Sequence, residues 1–346
     1  MDTSRMYYGD YLQLDKIIGA QNLESDKLGR HAHDEMLFIV IHQAYELWFK
    51  QILFELESAM DILEAPSIDD NSPEMFVMEH RMGRIVEILR VLVKQIDILE
   101  TMTPLDFLDF RDMLRPASGF QSVQFKLLEA RLGLQQERRY GKDYFMSHLR
   151  ESDRDFLLGV EQGPNLFDQI KAWLQRLPYF EQAEYWTNFE ATADGKHPFW
   201  AHYREQYRQS LVAGEGDIMN VFDMLFMEEG DDENRRLDRN SRRAALFIML
   251  YRGLPLHQNP YRILNRLLEI DELMATWRYR HMNMVHRIIG QRVGTGGSSG
   301  KGYLKNALDN HYVFSEFAEL TSFLVDRSRI PGLSSTLEAK LGFERD

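Results

Sequence analysis

Apolar positions along this chain recur at three- and four-residue spacing, and few segments alternate apolar and polar residues over strand lengths. The pattern predicts an all-α fold, a helical bundle. His33-Asp34-Glu35 opens a long helix with acids in its first turn, where the helix dipole favours them. Residues 36–63 are apolar on nearly every side, which predicts a helix lying deep in the bundle. Ser72-Pro73 caps a second long helix through Ile85, Leu89, Leu92, Ile96 and Leu99. Thr103-Pro104-Leu105-Asp106 starts a short one that ends before Pro116. Further helices are expected over about 202–227, 244–254, 263–273 and 303–328, with the tail from Ile330 as a cap.

Three units follow from this pattern. Residues 31–134 and 241–346 carry the strong periodicity and form the core. Residues 135–240 are more charged and weakly patterned, an appended small helical segment. Residues 1–30 are polar and rich in tyrosine, an arm that packs on something else.

The stretch 277–304 concentrates the candidate chemistry. Met274, Trp277, His281, Met284 and Ile288 form one apolar stripe on a helix that ends at Gly290. His281 sits mid-stripe, and a buried imidazole must give its nitrogens a partner. Either a backbone carbonyl or a metal satisfies it. His286, five residues on, is rotated by roughly 140° about the helix and points elsewhere. His42 is a second histidine in an apolar setting, on a face shared with Phe38, Tyr45 and Phe49. Arg111 follows Phe107 and Phe110 on the short helix. A guanidinium among aromatics calls for a carboxylate or phosphate, supplied by a ligand or internally by Asp109 or Asp112.

Composition narrows these choices. The net charge of −13 over 346 residues argues against nucleic-acid binding. No apolar run reaches the length of a membrane span, and the acidic start does not read as a signal peptide, so a cytoplasmic protein is expected. The absence of cysteine removes disulfides, zinc ribbons, iron–sulfur clusters and thiolate-ligated haem. The glycine-rich loop at 294–300 fails the Walker pattern, because Thr295 stands where its first glycine belongs and Gly302 follows Lys301. No Glu stands three residues before a His, which argues against a di-iron bundle. One histidine on an apolar helix face is compatible with b-type haem.

Four motifs then carry a likeness: YYGDYLQLDKII at 7–18, HDEMLFIVIHQAYELWFKQI at 33–52, DFLDFRDMLRPASGFQSVQF at 106–125 and RYRHMNMVHRIIGQRVGTGGSSGKGYL at 278–304. Together they closely resemble the tryptophan 2,3-dioxygenase family, haem enzymes that open the indole ring of tryptophan. The stretch 135–240 carries none of the family's motifs. Lys126 stands where the family more often has arginine.

The resemblance implies a helical bundle enclosing heme b (iron protoporphyrin IX) with His281 as its iron ligand and Ser118 beside it. It implies that His42 accepts a hydrogen bond from the indole N–H, and that Phe38 and Phe107 wall the indole pocket. Arg111 would grip the substrate carboxylate, and Thr295 the ammonium and carboxylate. Tyr8, Tyr11 and Leu12 would complete the pocket of a neighbouring subunit in a homotetramer, a dimer of dimers. The implied reaction takes L-tryptophan and O2 to N-formylkynurenine, the first step of tryptophan catabolism by the kynurenine pathway. The competing reading is a haem-binding sensor or carrier without turnover.

Overall fold

The computed structural model describes residues 6–65, 69–135, 147–176, 179–193, 195–228, 235–290, 292 and 311–342. No strand occurs among the described residues, and the fold is all-α. Three short N-terminal helices, α1 (Tyr8–Leu12), α2 (Leu14–Ile18) and α3 (Glu24–Lys27), lead into the long helices α4 (His33–Leu63) and α5 (Pro73–Leu99). Next come α6 (Pro104–Phe110) with a 3-10 turn at Arg111–Leu114, and α7 (Val123–Leu132). Then α8 (Glu151–Glu161), α9 (Leu166–Gln175), α10 (Pro198–Ser210), α11 (Ile218–Phe222) and α12 (Arg239–Leu250) precede the longest element, α13 (Pro255–Ile289). Two short helices, α14 (Ser315–Glu319) and α15 (Ser335–Leu341), close the chain.

The start signals act as the sequence predicts. Ser72 Oγ accepts from Met75 N ahead of Pro73, and Thr103 with Asp106 forms a reciprocal capping box. Gly290, at φ 60°, ends α13. Gly133 must be glycine: it adopts φ 108° after α7, and a Cβ there would lie 2.6 Å from Asn165 Oδ1.

The bundle is centred on α5, which packs along both α4 and α13. Met75, Met78, Met82, Ile85, Val86, Leu89 and Leu92 fill the seam, each essentially without solvent exposure. Burial of that many large apolar side chains, at about 1.5–3 kcal/mol each, is the main stabilising term. Two polar cross-links fix the register of α4 on α5: Tyr45 donates to the Leu92 carbonyl (3.0 Å), and Gln95 Nε2 to that of Ile41 (3.2 Å). Phe167, Trp173, Trp200 and Tyr203, from the weakly patterned stretch, lie in the same continuous core. No helix among the described residues is long and apolar enough to cross a membrane.

Several boundaries differ from the sequence expectation. The helices expected at 263–273 and from Trp277 are one 35-residue helix: it starts at Pro255 and keeps Pro260 inside it, and Met274-Ala275-Thr276, with no glycine or proline, offers no break between the two expected segments. The helix expected over 202–227 is broken after Ser210 by a turn at Gly214 and Gly216, and resumes as α11 and a π turn. The described part of 303–328 holds only α14 and short 3-10 turns. Finally, α4 is not buried all round: Leu47, Trp48 and Phe54 are exposed in the single chain.

Candidate functional site

The site is built where α4, α6, α7 and α13 meet. Phe38 and His42 stand one turn apart on α4, with ring centroids 4.1 Å apart. The Nδ1–H of His42 donates to the carbonyl of Phe38 at 2.6 Å, which leaves Nε2 as an acceptor. Phe107 and Phe110, from α6, pack against Phe38 at 5.8 and 5.6 Å. Arg111 follows directly and is buried beside them. Asp112 is exposed and lies 3.8 Å from Arg115 rather than turning inward.

On α13, His281 stacks against Trp277 one turn earlier, with centroids 5.1 Å apart and planes 7° from parallel. Its ring makes no hydrogen bond to any described residue. Burial holds His281 down at about 4, helped by His42, and burial likewise lowers His42 despite its bond to Phe38. Both are therefore neutral at physiological pH, with lone pairs free for bonding. Each ring is packed among protein atoms yet keeps some accessible surface.

The rest of the sequence candidates fall in different places. Ser118 is half-buried and caps the 3-10 turn Gly119–Gln121, accepting from Phe120 N. Tyr8 and Tyr11 are about 70% exposed, and the arm that holds them and Leu12 is not folded into its own chain's site. Thr295 and the glycine loop lie outside the described residues.

Sequence reasoning missed a set of charged groups around the site, buried except for Arg280 and its partners. Glu35, in the first turn of α4, also accepts from Glu24 N (2.8 Å) and Ser25 N (3.0 Å) and pins α3 to the start of α4. On α13, Arg278 Nη2 bonds to Glu129 of α7 at 2.8 Å, and its Nη1 reaches the carbonyl of His311. Arg280 turns the other way, to Asp97 (2.6 Å) and Glu100 (3.1 Å) at the end of α5. Asp271 accepts from Val313 N and Phe314 N. The two arginines flanking Tyr279 thus grip α13 from opposite sides immediately before His281. The available signal was an acid inside the apolar run of α7, Glu129, which cannot face solvent if its neighbours face the core.

No cluster of three or more His, Asp or Glu among the described residues is arranged to hold a bare metal ion. What the site offers a metal is one neutral imidazole in an aromatic recess. That donor set suits an ion whose remaining ligands arrive with it.

Comparison with known proteins points in one direction. A family profile described as tryptophan 2,3-dioxygenase matches residues 1–324. The chain is 42% identical to the tryptophan 2,3-dioxygenase of Bdellovibrio bacteriovorus, covering 98% of each protein. It is also 42% identical to that of Alteromonas mediterranea, over 97% of each. The tryptophan 2,3-dioxygenase B of Danio rerio is 41% identical over 95% of this chain and 84% of its own length.

Proposed function

The chain belongs to the tryptophan 2,3-dioxygenase family, and from that premise we propose that it adds O2 across indole C2–C3 of L-tryptophan to give N-formylkynurenine. Both oxygen atoms enter the product and the C2–C3 bond breaks, so no external reductant is consumed in the cycle. The observation that carries this reading is the pair of neutral imidazoles set against aromatic rings, His42 on Phe38 and His281 on Trp277.

The donor set fits heme b. A porphyrin supplies four iron ligands, so a single axial imidazole suffices, and His281 matches the family motif's ligand position and makes no hydrogen bond to the described residues. When bound, the haem supplies the dioxygen chemistry, and the protein supplies binding and orientation. Ser118 borders the haem in this reading.

The remaining residues act on tryptophan. Phe38 and Phe107 flank the indole, whose apolar faces they match. His42 Nε2 accepts the indole N–H and fixes which edge of the ring faces the iron. Arg111 holds the carboxylate, where its forked guanidinium offers two parallel bonds. Thr295 is assigned to the ammonium and carboxylate by its place in the family motif. Holding the amino acid at two ends removes rotational freedom before reaction and excludes water from the ring.

The exposed aromatics of the arm support an intermolecular role. Tyr8, Tyr11 and Leu12 complete a neighbouring subunit's pocket in a homotetramer, and Leu47, Trp48 and Phe54 on α4 lie in its interfaces. The protein acts in the cytoplasm, as the first step of tryptophan breakdown by the kynurenine pathway.

The test is to add haemin to the purified protein, reduce it without air, then supply tryptophan and O2. A Soret band at one haem per chain and a product heavier than tryptophan by one dioxygen are expected. Protein that stays colourless, or that leaves tryptophan unchanged, overturns the proposal.

A further inference from the structure

A ligating imidazole usually has its plane set by a hydrogen bond from its second nitrogen. His281 has no such bond to any described residue. What it has is the Trp277 indole, offset-parallel at 5.1 Å and 7°. The indole is itself immobilised on its other sides. Phe125 of α7 lies against it at 5.1 Å, and Tyr45 and Phe49 of α4 present their edges at 5.9 and 6.4 Å. Tyr45 is fixed in turn by its bond to the Leu92 carbonyl of α5. A chain of ring contacts therefore runs from the bundle centre to one face of His281.

We infer that Trp277 is the positioning residue that sets the plane of the His281 imidazole, and so the angle at which that ring meets a bound haem. The inference rests on His281 being the haem ligand. Helix backbone geometry fixes where the Cβ of His281 lies but leaves the ring free to turn about its last torsion, which is broad for histidine. A flat indole one turn below, walled in by three rings, removes that freedom.

The test uses the full-length haem-loaded protein and the variants Trp277→Phe, Trp277→Leu and His281→Ala. Each is checked for wild-type helicity by circular dichroism. Two properties are read: the low-temperature electron paramagnetic resonance of the ferric form, and haem transfer to excess apomyoglobin. Trp277→Leu should still bind one haem per chain, with a broader and more rhombic resonance from a ring no longer held in one plane. Its haem loss should quicken by about tenfold, the lower end of the effect seen for groups that orient metal ligands. Trp277→Phe keeps an aromatic face and should restore the wild-type line shape, which a purely space-filling role would not require. A Trp277→Leu protein with wild-type resonance and loss rate overturns the inference. If Trp277→Leu does not fold, Trp277→Met, unbranched and ringless, is judged by the same criteria. A His281→Ala protein with a wild-type haem spectrum would instead remove the ligand assignment, an outcome distinct from any result at Trp277.

Discussion

His42 donates its Nδ1–H to the carbonyl of Phe38, one helical turn earlier, across 2.6 Å. That single bond decides the tautomer: the far nitrogen, Nε2, carries a lone pair and no proton. Burial lowers the ring's pKa, so the neutral form persists at physiological pH. A neutral imidazole in this tautomer is a good hydrogen-bond acceptor and, toward an N–H as weakly acidic as that of indole, a poor base. In the proposed reaction its task is to orient the ring.

His42→Ala is therefore expected to keep its haem and lose only part of its rate. One net hydrogen bond of about 0.5–1.5 kcal/mol corresponds to a fall of roughly 2- to 10-fold in kcat/KM. Steady-state kinetics at measured haem content check this. A loss of several thousand-fold would mean that the imidazole moves a proton.

Arg111→Ala should raise KM by about 10- to 100-fold, the equivalent of about 1.5–3 kcal/mol for a hydrogen bond to a charged group. Tryptamine, which lacks the carboxylate, should show little change between wild type and variant. Equal penalties for tryptophan and tryptamine would contradict the role of Arg111.

These two residues were readable because their surroundings are local. Phe38 and His42 are one turn apart, as are Phe107 and Phe110 with Arg111 beside them, and helix periodicity alone puts each group on one face. Ser72, Thr103 and Gly290 were readable for the same reason, since caps and stops act within three or four residues. Glu35 sits in the first turn of α4 as expected, but its partners are backbone amides of another segment that no side-chain pattern reveals. Arg278 and Glu129 are 149 positions apart, and nothing in either neighbourhood names the other. The exposed face of α4 was missed because apolar spacing on a helix does not tell a residue facing the core from one facing outward.

The Arg278–Glu129 pair gives a stability prediction. Both side chains are almost fully buried, at 8% and 3% exposure. Arg278→Met takes from the Glu129 carboxylate its 2.8 Å guanidinium partner in the core, where His311 also lies 3.6 Å away, and should destabilise the fold by up to about 3–5 kcal/mol. Adding Glu129→Gln removes the carboxylate charge and should recover part of that loss. Denaturant unfolding of the apoprotein measures both. A double variant no more stable than Arg278→Met alone would refute the account of a buried ion pair broken on one side.

Acid should destabilise the fold through histidines that are buried neutral, and His257 isolates one of them. It has no solvent exposure and meets the edge of Phe247 at 5.4 Å. Burial brings its pKa from 6.5 down to about 4, only partly offset by the Tyr251 backbone. Between those values the unfolded chain binds a proton at this ring and the folded protein does not, so stability falls as pH drops through the window. The full effect of one such group is about 3 kcal/mol, present above pH 6.5 and gone near pH 4. His197 and His281 are shifted in the same direction by burial and add to the slope. His257→Met, similar in bulk and unable to titrate, should lower the proton uptake on unfolding by close to one between pH 6.5 and 4. Urea unfolding across that range reads the slope directly. An unaltered slope in the methionine variant would mean that His257 already carries its proton in the folded state, with a compensating acceptor in the core.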